Sequence, residues 1–144
     1  MVRAILLTIL AASMMGMTAQ QSGCRTGQTL KVELVNDTGR DIDFTLVYSE
    51  NPNASFANLT DTGIEVTDTV KAGNVLVEFL SCNVTGAVAL ELAELDVVAG
   101  IGPIVVDDFV YRIETHWTCG DTLRYRFTSN NDLTDLDEES AVIR

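Results

Sequence analysis

Apolar and polar residues alternate along most of the chain from residue 30 onward, and clusters of turn-forming residues interrupt the alternation at short intervals. Leu30, Val32 and Leu34 alternate with Lys31 and Glu33, and Ile42, Phe44, Leu46 and Tyr48 alternate with Asp43 and Thr45. A period of two places each apolar set on one face of a strand. Asn36, Asp37, Thr38 and Gly39 lie between the two runs, so the pattern predicts a β-hairpin. Residues 51–61 are polar, contain Pro52 and carry no periodicity, which reads as a loop. Ile64, Val66 and Val70 predict a third strand, turned by Lys71, Ala72 and Gly73. Over 75–80, Val75, Leu76, Val77, Phe79 and Leu80 leave only Glu78 polar, which predicts a central strand, buried on both faces, leading to Cys82.

The stretch 87–98 is ambiguous, because Ala, Leu and Glu are good helix formers. Alternation at Val88, Leu90 and Leu92 favours a strand, and the change of phase to Leu95 and Val97 then requires a bulge near Ala93. Gly100, Gly102 and Pro103 break the chain, after which 104–106 and 109–113 read as two short strands or one interrupted by Asp107 and Asp108. Leu123, Tyr125 and Phe127 alternate with Arg124 and Arg126 in a closing strand just after Cys119. Residues 130–144 hold Asp132, Asp135, Asp137, Glu138 and Glu139 with little to bury, and are expected to form a flexible acidic tail. The resulting expectation is all-β: a single antiparallel β-sandwich of seven to eight strands over 30–129. In strand number and turn spacing this body resembles immunoglobulin-like domains, a likeness of architecture.

The N-terminus changes the picture from a domain to an exported domain. Arg3 precedes an apolar run over 4–12 and then small and polar residues, the pattern of a secretory signal helix over residues 1–23. That run is shorter than the ~20 apolar residues needed to cross a bilayer. Cleavage after Ala19 would leave a soluble protein. The other site precedes Cys24: Ser22, Gly23 and Cys24 resemble the lipobox of bacterial lipoproteins, which implies lipidation of Cys24 and a membrane anchor with 24–29 as a tether. Cysteine parity agrees, since a lipid on the first of three cysteines leaves Cys82 and Cys119 to form one disulfide in an oxidising compartment.

Composition removes several function classes. With 21 carboxylates against nine Lys and Arg the chain has a formal net charge of −12, and only Arg124 and Arg126 are locally basic, so no nucleic-acid partner is expected. His116 is the one histidine; three positions from Cys119, it points to the opposite face of a strand. A thiol committed to a disulfide is no nucleophile, so no catalytic residue and no enzyme is expected. A copper site fails on ligand number, a zinc site at Cys82, Cys119 and His116 loses its thiols to the disulfide expected in an exported protein, and no cofactor or metal is assigned. The weak candidates for calcium are Asp37, Asp41 and Asp43 at the first turn and Asp132, Asp135, Asp137 and Glu138 in the tail, against a plain reading as turn residues and solvated surface. Asn36, Asn53, Asn58 and Asn83 begin glycosylation sequons that read as turn composition in a chain with a bacterial-looking leader.

The functional expectation is a non-enzymatic cell-envelope protein, anchored or else secreted or periplasmic, with an interaction or structural role toward an envelope protein or polysaccharide. The alternative is a small-ligand, carbohydrate or calcium-dependent binding domain, in which Trp117, Tyr111 and Tyr48 would stack on a sugar. A hydrolase is the remote third reading.

Overall fold

The computed structural model describes residues 28–96, 102–130 and 132–144. The leader, Cys24 and most of the tether expected from the sequence lie outside them. Two sheets face each other across one core. The first has the order β4, β1, β8, β9, formed by Val75–Ser81, Thr29–Asn36, Thr122–Ser129 and Leu136–Ile143; the second has the order β3, β2, β5, β6, formed by Ile64–Val70, Ile42–Ser49, Ala87–Leu95 and Ile104–Val105. The short β7, Tyr111–Arg112, also pairs with β5. Leu30, Val32 and Leu34 of the first sheet meet Phe44, Leu46 and Leu90 of the second, and Trp117, Tyr125 and Phe127 fill the same core.

The all-β sandwich is thus present, with nine strands among the described residues and one short helix. Four expectations change. The first concerns β1 and β2, which are not a hairpin: they belong to different sheets, and the chain arches from one layer to the other over 37–41. Asn36 makes the arch. It is fully buried, its Nδ2 donates to the carbonyls of Arg40 (2.7 Å) and Val70 (2.9 Å), and its Oδ1 accepts from the Thr38 amide (2.9 Å) and hydroxyl (2.6 Å). The turn residues were legible; which partner they turn the chain toward was not.

Second, β1 pairs with β8 in parallel, so the sandwich is not purely antiparallel. Alternation encodes which face a residue takes and says nothing of strand direction. Third, β4 is an edge strand, paired on one side with β1 alone. Leu76 and Leu80 turn inward while Val75, Val77 and Phe79 face out, so an apolar run that suggested double burial has one exposed face. Fourth, 136–143 is no free tail. It pairs with β8 along its full length as β9, burying Leu136 and packing Val142 on the core. Glu138 and Ser140 occupy the remaining inward positions, which hid the alternation from a reading based on hydrophobicity.

Other elements follow their local chemistry. β5 is a strand with one bulge, placed where the register shifts between Leu90 and Leu92, close to the expected position. The extra residue is Glu91, and it moves Ala93 and Leu95 onto the core face. Within the expected polar loop, Ser55 caps the helix α1, Phe56–Thr62, through a capping box with Asn58. Leu59 of α1 covers Val47, Ala87 and Ala89 in a second small cluster on the outside of the second sheet. Gly86 lies so close to the Glu50 backbone that a Cβ would stand 2.3 Å from its carbonyl oxygen.

Candidate functional site

The residues singled out from the sequence are distributed over the molecule and do not converge. Cys82 and Cys119 are joined by a disulfide with their Cα atoms 6.1 Å apart, tying the end of β4 to the loop that leads into β8. His116 accepts a hydrogen bond at Nδ1 from the Arg112 amide (2.9 Å), and its ring lies edge-on to Phe109 and Tyr111. That imidazole organises the tight turn 113–117. Trp117 has no exposed surface and Tyr111 is buried, so neither can stack on a sugar from outside; Tyr48 packs partly against the core.

Each acidic residue of the first turn is taken by its own partner. Asp37 accepts from Arg126 Nε (2.6 Å), Asp41 pairs with Lys71 (2.7 Å) and accepts the Ala72 amide, and Asp43 accepts from the Thr69 hydroxyl (2.5 Å). The Lys71 ammonium and the Ala72 amide hold the Asp41 carboxyl below its usual range. In the C-terminal segment Asp132, Asp135 and Asp137 are exposed, whereas Glu138 points inward. Asn36 is sealed in the arch and Asn58 serves the helix cap; Asn53 and Asn83 are exposed. Among the described residues no group of three or more His, Cys, Asp or Glu side chains is placed to hold a metal ion.

Two places stand out instead. The first is the outer face of the first sheet. Val75, Val77 and Phe79 of β4 are 54, 38 and 63 % exposed and form one apolar row. Beside them β1 presents Val35, Glu33 and Lys31 in register, and β8 presents Arg126 and Arg124 in the next row. Glu33 takes a forked hydrogen bond from Arg124, with Nε at 2.8 Å and Nη2 at 2.6 Å, and an ion pair from Lys31. Those two cations hold its carboxyl below the ordinary range despite the burial that opposes them. A hollow of about 180 Å³ lies between the arginines and Glu139, Ala141 and Ile143 of β9. The backbone of the edge is available as well. Asn36 N–H donates to the Asn74 carbonyl and Cys82 N–H to that of Gln28, so the even-numbered residues of β4 bond to β1. By the antiparallel alternation the amides and carbonyls of Val75, Val77 and Phe79 point away from the sheet, while the Ser81 carbonyl accepts from the Val84 amide (3.1 Å). The row was missed because two-sided apolarity normally signals a central strand; the signal that could have exposed it is Glu78, the one charge on the inward phase of an edge strand.

The second place is the seam where β6, at the edge of one sheet, packs against β9, at the edge of the other. Asp107 and Glu138 bring carboxyls here, and Asp107 Oδ2 and Glu138 Oε1 are buried without a hydrogen-bond partner. Burial raises both carboxyls and acidic neighbours oppose each charge, Asp108 for Asp107, and Asp107 and Glu139 for Glu138; against this, Asp107 Oδ1 accepts from the Phe109 amide (3.0 Å) and Glu138 from Ser140. Tyr125 is wholly buried, and burial beside Tyr111, Asp107 and Glu138 pushes its hydroxyl well above the usual phenol value, against a backbone hydrogen bond at Leu90. Its ring stands perpendicular to that of Tyr111 with centroids 6.1 Å apart, and the Ser140 hydroxyl reaches both Tyr111 and Glu138.

On the outside of the second sheet, Asp43, Thr45, Thr67, Thr69, Leu92 and Glu94 line a shallow open groove of about 350 Å³. No family model, curated protein or solved structure compared with the chain matches it.

Proposed function

We propose that the chain is a non-enzymatic interaction module of the cell envelope, exported by its leader and held to the membrane through lipidated Cys24. Its partner is an envelope protein that adds an extended segment to the free edge of β4. The observation that carries this reading is the coincidence, on Val75, Val77 and Phe79, of exposed apolar side chains and unpaired backbone groups. An added strand gains ladder hydrogen bonds from the backbone and apolar contacts from alternate side chains. The other long edges suit this less well. β3 carries Glu65 and Asp68, and β9 carries Asp137 and Glu139 facing out, charges that discourage strand addition. Inward Glu78 is compatible with a partner chosen for a cation at the opposing position, and it disfavours indiscriminate pairing.

Two further features favour an immunoglobulin-like frame for this module. The strands form two packed layers, and a fully buried tryptophan shares the core with the disulfide. A carbohydrate-binding reading has the groove beside Thr67 and Glu94 to rest on, but its aromatic residues are absent: Phe44, the one ring in its lining, is 2 % exposed.

A photocrosslinking amino acid at Phe79, with Asp68 on the β3 edge as control, tests the docking reading in cells. The expected result is one dominant protein adduct from position 79, lost with Val77→Asp, together with slowed amide exchange at Val77 and Phe79 in the purified complex. Equal yields from both edges, or an adduct indifferent to Val77→Asp, would overturn it. The anchor is tested separately, since a mature N-terminal peptide starting at unmodified Gln20 in mass spectrometry excludes it.

A further inference from the structure

Glu78 is the one charged side chain on β4, and no neighbour in the fold answers it. Its backbone bonds to β1, where the residue in register is Val32, fully buried. Two positions away along the strand, on the same face, stand Leu76, which packs on the core, and Leu80, which is buried. The cations of the same sheet, Lys31, Arg124 and Arg126, project from the opposite face and are engaged by Glu33 and Asp37. None of the described residues forms a hydrogen bond or ion pair with the Glu78 carboxylate. Apolar side chains thus border this half-buried carboxylate on three sides, and the fourth side is the free edge.

The geometry of the edge fixes where a counter-charge must come from. Because the amides and carbonyls of Val77 and Phe79 point outward, a strand added antiparallel bonds to those residues and meets Glu78 at a non-hydrogen-bonded position. There the Cα atoms of facing residues come to about 4.5 Å, the closest side-chain approach that an antiparallel pair offers. A carboxylate opposed at that distance gains from Lys or Arg and is penalised by a second acid. A second copy of this chain cannot supply the cation from its own β4, which contains neither Lys nor Arg. The net charge of −12 also favours a basic over an acidic segment.

We propose that Glu78 selects the docking partner: the envelope-protein segment that adds antiparallel to β4 carries Lys or Arg opposite Glu78 and apolar residues opposite Val75, Val77 and Phe79. Along the partner from N- to C-terminus the pattern is apolar, basic, apolar, any residue, apolar. That selection rests on the docking reading given above, which supplies a strand; Glu78 decides which strand.

The photocrosslinker at Phe79, combined with charge variants and sequencing of the trapped peptide, tests the selection in cells. The trapped segment should show Lys or Arg within the apolar pattern. Glu78→Lys should cut the adduct roughly ten-fold by exchanging an attractive pair for a like-charge pair, and Glu78→Gln should cut it less. Changing the basic residue of the trapped segment to Glu should abolish the adduct with the parent and restore it with Glu78→Lys, a rescue that loss of folding cannot mimic. An absent adduct would sink the docking reading and the selection with it. An adduct that survives Glu78→Lys undiminished, strengthens with Glu78→Gln, or arises from a segment without Lys or Arg would overturn the selection and leave the docking reading standing.

Discussion

Asn36 should be among the most sensitive positions in the chain, and its contribution can be worked bond by bond. Asn36→Ala removes four hydrogen bonds at a fully buried site. Two of the groups left behind find a partner in each other, because the single proton of the Thr38 hydroxyl, freed from Asn36, turns to the Arg40 carbonyl at 2.8 Å. The Val70 carbonyl and the Thr38 amide lose the bonds they made to this side chain. Counting about 1–1.5 kcal/mol for each orphaned group and about 0.5–1 kcal/mol for each bond lost by a group that stays satisfied gives about 4 kcal/mol. Against a typical total of about 5–15 kcal/mol that is a large share. Urea denaturation followed by tryptophan fluorescence should show the midpoint lowered by roughly 2 M at unchanged slope, taking about 2 kcal/mol/M for the slope. Asn36→Asp sharpens the test. Its carboxylate cannot donate to the two carbonyls and is repelled by them, so its folded pKa is raised, and the loss of stability should shrink as pH falls through that value. A loss below about 1.5 kcal/mol for Asn36→Ala, or an Asp variant whose deficit ignores pH, would refute the view that this amide builds the arch.

Three other expectations follow from the packing. Glu33 has a folded pKa depressed by Lys31 and Arg124, so its contribution is present above the ordinary value of 4.5 and lost as pH falls below it; Glu33→Gln should flatten the acid limb of the stability curve, and an unchanged limb would count against the network. The double change Cys82→Ser and Cys119→Ser should lower stability by roughly 4 kcal/mol in the chain-entropy model for the 37-residue separation, read from urea midpoints, and the parent should gain alkylatable thiols only after reduction. Trp117 is fully buried with an unpartnered indole Nε1, so Trp117→Ala should cost about 3–5 kcal/mol and Trp117→Phe distinctly less, because Phe keeps much of the ring and discards the unsatisfied donor. Equal losses for the two would show that the indole N–H does not go unpaired in solution.

The candidate site was only half legible. Glu138 was visible as one member of an acidic run and Asp107 as a strand break, but their meeting depends on β6 and β9 lying at opposed edges of different sheets. Nothing local brings together residues so far apart in the chain. The apolar row of β4 was legible as composition and misread as burial, since hydrophobicity reports what a residue would gain from cover and not whether a neighbour supplies it.

By itself the sequence determined most of the strands, most of their inward faces and ends, and the disulfide pair, because alternation and turn chemistry act between near neighbours and need no knowledge of the rest of the fold. The tertiary structure alone decided that Asn36 sends the chain to the other sheet, that β1 and β8 run parallel, that β4 is an edge and that 136–143 is a strand. Each of those depends on which distant segment completes a hydrogen-bond ladder. Backbone amides and carbonyls are the same in every residue but proline, so the choice among partners is made by the packing of the whole core.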